Sequence, residues 1–238
     1  MAVPHGDASV AMAPVLLSFA GLVHWGQVKN PPVGGAGVIR AHLWLSAGLA
    51  VAIAGCSRRP SRMEAPRLDP EEVASRAMER YDTSGDGKLA GDELSPGLRA
   101  FAKTADKDKD GILTEAEIAE RLAACVASRV GLQQWGGVVF LDGRPLPGAT
   151  VRFIPDPVLE GIVEPASGRA DAKGYVDLRI EGSRVPGVRP GFYRVEVSKK
   201  DAADRETLPA RYNADSELGQ EVGPDALRGG WKLELHSR

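Results

Sequence analysis

The chain has 238 residues, of which 43% are hydrophobic and 26% charged, with 30 basic against 32 acidic side chains and a net charge of −2. That is the composition of one or two globular domains, and it excludes wholesale disorder, a collagen-like rod and a long coiled coil. The balanced charge leaves no basic stripe for nucleic acid, and two cysteines, Cys56 and Cys125, cannot build a disulfide framework.

Residues 1–55 are a separate material. Asp7, Lys29 and Arg40 are their only charged groups, which leaves 28 basic and 31 acidic residues for 56–238. Arg40 precedes a 13-residue apolar run, 43–55, that closes on small residues before Cys56. A positive group, a short apolar core and a small-residue end follow the order of a secretory signal. Spanning a bilayer core takes roughly 20 residues, so the run is too short for a comfortable membrane helix. Ile53-Ala54-Gly55-Cys56 resembles a bacterial lipobox. The resemblance implies acylation of the Cys56 thiol and cleavage just before it, giving an extracytoplasmic lipoprotein anchored to the membrane of the cell envelope. An earlier apolar stretch, 10–23, admits two explanations: a start codon set too far upstream, or a two-segment anchor. Residues 56–68 read as a polar linker.

Asp69-Pro70-Glu71-Glu72 predicts a helix start, with Asp as N-cap, Pro at N1 and Glu at N3. Val73, Ala77 and Tyr81 then fall on one face. The helix runs into Asp82-Thr83-Ser84-Gly85-Asp86-Gly87-Lys88-Leu89-Ala90-Gly91-Asp92-Glu93. A second acidic run, Asp106-Lys107-Asp108-Lys109-Asp110-Gly111-Ile112-Leu113-Thr114-Glu115-Ala116-Glu117, starts 24 residues later. Both resemble the twelve-residue EF-hand loop, which needs oxygens at positions 1, 3, 5, 7 and 12 and a glycine at 6. The first would supply Asp82, Ser84, Asp86, the Lys88 carbonyl and Glu93. The second would supply Asp106, Asp108, Asp110, the Ile112 carbonyl and Glu117, with Thr114 placed to hold a bridging water. Calcium favours such a cage of six to eight hard oxygens, so two Ca2+ sites are expected over 69–130. Four carboxylates against three rank the second site as the tighter, with Lys107 and Lys109 softening its field. Leu89 and Leu113 share position 8, where paired loops join through a short β-bridge. Ser95-Pro96 predicts a short helix carrying Leu98 and Phe101, and Thr114 with Glu117 a capping box opening a helix whose face is Ile118, Leu122 and Cys125.

After residue 128 the pattern changes to short β-branched runs bounded by Gly and Pro. Strands are predicted over 137–141, 149–154, 175–180, 192–198 and 231–236, alternating as one-sided antiparallel sheet does. Asp142-Gly143, Pro147-Gly148, Lys173-Gly174 and Pro190-Gly191 mark the turns. Asp142-Gly143-Arg144-Pro145-Leu146-Pro147-Gly148-Ala149-Thr150-Val151, with Asp171-Ala172-Lys173-Gly174-Tyr175 and Pro190-Gly191-Phe192-Tyr193-Arg194-Val195, resembles carboxypeptidase regulatory-like domains. Leu208-Pro209-Ala210-Arg211-Tyr212-Asn213 is similar to a loop of small planctomycete-type lipoproteins that carry this module. The resemblance implies a transthyretin-like β-sandwich over 131–238 without catalytic residues of its own. The expected fold class is therefore α+β and multidomain: a small helical EF-hand pair and an antiparallel sandwich.

Removing the leader removes His5, His24 and His42 and leaves His236, too little for triad or zinc chemistry. The functional expectation is a calcium-binding, non-catalytic structural or interaction protein. The alternative is a calcium-dependent sensor or docking module for a cell-envelope protein or glycan.

Overall fold

The computed structural model describes residues 64–225 and 230–238. The leader, Cys56 and most of the linker lie outside the described residues. Helix α1, Pro70–Tyr81, starts where Asp69 accepts the Glu72 amide at 3.1 Å and Pro70 occupies N1, a position with no N–H to lose. Val73 and Ala77 of its stripe are buried, together with Ala74, and Tyr81 is half-buried. Strand β1, Lys88–Leu89, is followed by a 3-10 turn over Gly91–Glu93 and by helix α2, Pro96–Ala105. Ser95 caps α2 by accepting the Leu98 amide at 3.1 Å, and Leu98, Phe101 and Ala105 form its buried side. Strand β2, Leu113–Thr114, leads directly into α3, Glu115–Ala127. There Thr114 and Glu117 cap each other's amides, and Ile118, Leu122 and Cys125 are buried. The two short strands pair antiparallel with Leu89 opposite Leu113. Equivalent positions of the two acidic loops are thereby held side by side.

The rest of the chain is β: β3 Gly136–Leu141, β4 Arg144–Pro145, β5 Thr150–Pro155, β6 Ala166–Arg169, β7 Tyr175–Asp177, β8 Arg179–Ile180, β9 Gly191–Ser198, β10 Gly219–Val222 and β11 Trp231–Leu235. Among the described residues, one sheet runs β10-β9-β5-β6-β8, antiparallel throughout. In the other, β3 carries β11 on one side and both β4 and β7 on the other. Asp142 and Gly143, with φ of 49° and 75°, make the two-residue turn between β3 and β4.

The fold is thus mixed α+β, and it departs from the predicted strands: β4, β6 and β10 are additional to them, and two of the predicted ones pair otherwise than expected. The last strand, expected in an antiparallel arrangement, pairs parallel to β3, with Leu233 opposite Val139. Alternating burial has period two whichever way the neighbour runs, so periodicity cannot give its direction. The predicted strand 175–180 is two strands in different sheets, β7 on β3 and β8 on β6, with Leu178 buried at the crossing. Strand β6 escapes prediction because it is Ala-Ser-Gly-Arg, without a β-branched residue. At Gly168 a Cβ would lie 2.3 Å from the Asp177 carbonyl, so close backbone approach requires glycine there.

Phe153 of β5 joins the sheets, its ring centre 5.6 Å from Trp231, 5.7 Å from Tyr193 and 6.2 Å from Trp135. Burying such a side chain contributes about 1.5–3 kcal/mol. The helices belong to the same core: Phe101 of α2 meets Phe192 of β9 at 4.8 Å, and α2 packs along β9 and β10. The boundary at 130/131, drawn from a change of period, therefore separates two segments that share one hydrophobic interior. No helix among the described residues is long and apolar enough to cross a membrane.

Candidate metal centre

Both acidic loops fold around their own carboxylates. In the first, Asp82 accepts the amides of Gly85 (2.7 Å), Gly87 (2.9 Å) and Asp86 (3.2 Å) and the Ser84 hydroxyl (3.2 Å). Asp86 accepts the Lys88 amide at 3.0 Å. Glu93 reaches back across the loop to the amides of Thr83 (3.1 Å) and Ser84 (2.9 Å). The second loop repeats this pattern: Asp106 accepts Lys109 (2.6 Å) and Gly111 (2.9 Å), Asp110 accepts Ile112 (2.8 Å), and Glu117 reaches back to Lys107 (3.2 Å). Gly87 and Gly111 have φ of 77° and 81°, the left-handed conformation that glycine takes without cost. Position 4 is also left-handed in both loops, filled by Gly85 (φ 72°) in the first and by Lys109 (φ 61°) in the second.

The loops differ in how far their oxygens converge. Ligand atoms of Asp106, Asp108 and Glu117 lie within 4.8 Å of one another, the one such group of acidic, His or Cys side chains among the described residues. Oxygens 2.3–2.6 Å from an ion stand at most about 4.6–5.2 Å apart across it, so this triad can hold a metal ion. Asp110, the fourth carboxylate predicted in that loop, stands outside the group and is turned to the Ile112 amide. Asp82, Asp86 and Glu93 do not form such a group. The electrostatics differ from one carboxylate to the next: at Glu117 a desolvation that raises the carboxyl is overcome by hydrogen bonds from Thr114 and Lys107, which leave it low, and Asp108 alone of the triad is raised. The Asp110 amide draws the Asp108 carboxyl down, but desolvation and repulsion from Asp110, Glu117 and Asp106 outweigh it and leave Asp108 above its ordinary value. Hydrogen bonds donated by the Ser84 and Ala90 amides hold Glu93 low. At Asp82 a desolvation that raises the carboxyl is overcome by hydrogen bonds from Gly87, Gly85, Ser84 and Asp86.

Two further acids, not distinguished by the sequence, tie these loops to the sheets. Asp156, just past β5, is 2% exposed and accepts hydrogen bonds from the hydroxyls of Tyr81 (2.9 Å) and Ser95 (2.5 Å) and from the Val158 amide (3.2 Å). Tyr81 immediately precedes Asp82, and Ser95 follows Glu93 by two residues. Glu221 of β10 accepts hydrogen bonds from the Thr104 hydroxyl and from Arg121 Nε (2.7 Å), while a second Arg121 nitrogen reaches Asp225 at 2.6 Å. Thr104 precedes Asp106 by two residues, and Arg121 follows Glu117 by one helical turn. Each loop is thus held at both ends by one buried acid of the β region. Burial, reinforced by the Asp156 charge, pushes the Tyr81 hydroxyl up to about 12. Burial also raises the carboxyls of Asp156 and Glu221, against the hydrogen bonds that pull them down. Sequence offered only indirect signals: Asp156 opens a connection, 156–165, longer than a minimal hairpin turn, and Ser95 already stands out as an N-cap.

His236 is exposed just beyond β11, 3.9 Å from Asp142. Cys125 is buried, and desolvation pushes its thiol up to about 11, as befits a core residue. No family model, no curated protein and no solved structure matches the chain.

Proposed function

We propose that this chain is a non-catalytic calcium-binding protein of the cell envelope, lipid-anchored through Cys56. Two EF-hand loops, 82–93 and 106–117, would each bind one Ca2+, and a carboxypeptidase regulatory-like sandwich of transthyretin type would carry them. The observation behind the reading is the convergence of Asp106, Asp108 and Glu117 within 4.8 Å, with mutual repulsion that a cation would relieve. Asp110, by turning inward from the Ile112 amide, and the Ile112 carbonyl would complete the oxygen set of loop 106–117. Asp82, Ser84, Asp86, the Lys88 carbonyl and Glu93 would supply that of loop 82–93, whose carboxylates must close inward on the ion. The role assigned to calcium is structural. Each loop is flanked by residues that grip a buried acid of the β region, so ordering a loop also orders its docking. A ligand that binds only the folded state stabilises it by mass action. The anchor and compartment rest on the order of Arg40, the apolar run and Ile53-Ala54-Gly55-Cys56.

Calorimetric titration of the chain with calcium chloride tests the site. Two binding events are expected, and Glu117→Gln should weaken the tighter by about 100-fold, the upper end of the loss seen for residues that merely support a ligand. Absence of binding at millimolar calcium would overturn the proposal. Mass spectrometry of the mature N-terminus tests the anchor independently: a diacylglyceryl group on Cys56 supports it, and an intact, unmodified leader rejects it.

A further inference from the structure

Helix α2 packs along β9 and β10, and away from it the outward side of β5 lines two adjoining hollows. Thr150, Arg152 and Ile154 alternate there with the buried Val151 and Phe153. One hollow, of about 550 Å³, lies between the end of β5 and the connection 156–165, with Ile154, Pro157, Ile162 and Pro165 among its walls. The other, of about 710 Å³, is polar, with Thr150, Arg169, Ser198 and Asn213 in its wall. Arg152 lines both, so an apolar trough and a polar one meet at a single guanidinium. The charges around that meeting point are unequally satisfied. In the polar hollow Asp201 is paired with Arg205 and Asp204 with Lys200, while Glu206 is taken up by the Ser198 hydroxyl and the amides of Lys199, Thr207 and Leu208. Glu196 is shared between Arg194 at 3.0 Å and Arg152 at 3.4 Å. The longer contact belongs to a side chain 57% exposed, where an ion pair contributes little and exchanges easily. Arg169, exposed and opposite Thr150 across the strand pair, has no ion pair among the described residues. Positive charge is thus left over at the mouth of an apolar trough.

We infer that the two hollows together bind a single-chain fatty acid, with its tail against Ile154, Ile162 and the prolines and its carboxylate on Arg152. A guanidinium offers a carboxylate two parallel N–H donors, and Arg169 and the Thr150 hydroxyl supply further ones. Glu160 stands on the connection side of the trough and repels a carboxylate, which directs the head group toward β5. Glu196 keeps Arg194 when Arg152 turns to the ligand, so no buried charge is stranded by the exchange. The volumes lie within the range of small-ligand sites, about 300–1,000 Å³. This inference is independent of calcium, since no lining residue belongs to loop 82–93 or 106–117.

Calorimetric titration of the full chain with octanoate, decanoate and dodecanoate below their micellar concentrations is the test, with decanol and decyltrimethylammonium as uncharged and cationic analogues. Saturable binding of the acids is expected, tightening with tail length by up to about fourfold per methylene. Arg152→Gln should weaken decanoate about tenfold, as loss of a charge-assisted hydrogen bond does, and leave decanol unchanged. Ile162→Asn, on the half-exposed apolar wall, should weaken both. Arg152 is an exposed strand residue, so its variant spares the core. The inference is overturned if no acid binds saturably, if Arg152→Gln leaves decanoate unaffected, or if decanol or decyltrimethylammonium binds as tightly as decanoate. Calcium affinity measured in the same samples reports on the metal reading separately.

Discussion

Within the second loop, Asp108 faces Asp110, Glu117 and Asp106, and their repulsion keeps its carboxyl above the ordinary value, while Asp82 and Glu93 of the first loop are held below theirs. Protons compete with calcium for ionised carboxylates. Glu117 is held low like Glu93, so Asp108 alone takes up its proton first as the pH falls, and through it calcium affinity of the second loop should begin to decline at a higher pH than that of the first. Titrations between neutral and acid pH would check this, and a first loop that weakens earlier would contradict it. The ranking of the sites is argued from ligand charge. Lys107, expected to soften the second loop, is instead paired with Glu120. Glu117→Gln should therefore cost more affinity than Glu93→Gln, and the reverse order in paired calorimetry would reject the ranking.

At the scale of elements, Asp156 is the junction between α1, α2 and the five-stranded sheet. Its folded-state carboxyl is raised above 3.8, so its protonated form is favoured by folding. The stability it contributes is complete below the unfolded value and is lost as the pH rises through the folded one. An Asp156→Asn variant carries no such charge. Its stability relative to the parent should accordingly improve as the pH rises from 3.8 and level off above the raised value. Denaturant unfolding across that window gives the slope, and a fall instead of a rise would show that the ionised form is the stabilised one. Asp156→Ala would strand the Tyr81 and Ser95 hydroxyls and should cost about 1–3 kcal/mol at low pH, where the parent carboxyl is protonated, and less as the pH rises.

For the whole molecule, the shared core decides how calcium is felt. Phe101 and Phe192 join helix to sheet, and the buried acids hold both ends of each loop. Calcium removal should therefore loosen the docking of the helices and not only the loops. At a hundredfold excess over Kd each occupied site adds about 2.7 kcal/mol, and at this size about 2–4 °C of Tm accompanies each kcal/mol. Chelation should lower Tm by about 5–10 °C per site, read by calorimetry with and without EGTA. An unchanged Tm would separate calcium from stability. Phe153→Ala, at the contact between the sheets, should cost about 3–5 kcal/mol with or without calcium.

The helix starts at Asp69-Pro70 and Ser95-Pro96, the Thr114–Glu117 capping box and the Leu89–Leu113 pairing were legible in the sequence, because caps and loop positions act over three to twelve residues. The turn at Asp142-Gly143 and the inward alternation of 192–198 were legible for the same reason. The chain alone thus determined where its acidic loops, caps, turns and most of its strands lie. Only the tertiary structure decided that β11 runs parallel to β3, that 175–180 divides between two sheets, and that Asp110 stands apart from the carboxylates of its own loop. It alone also placed Asp156 and Glu221 in the interior beside the flanks of the two loops, 75 and 100 residues from the partners Tyr81 and Arg121 that they hold. An acid is drawn into the interior only when donors remote in the chain are brought to it, and no local pattern of residues records that meeting.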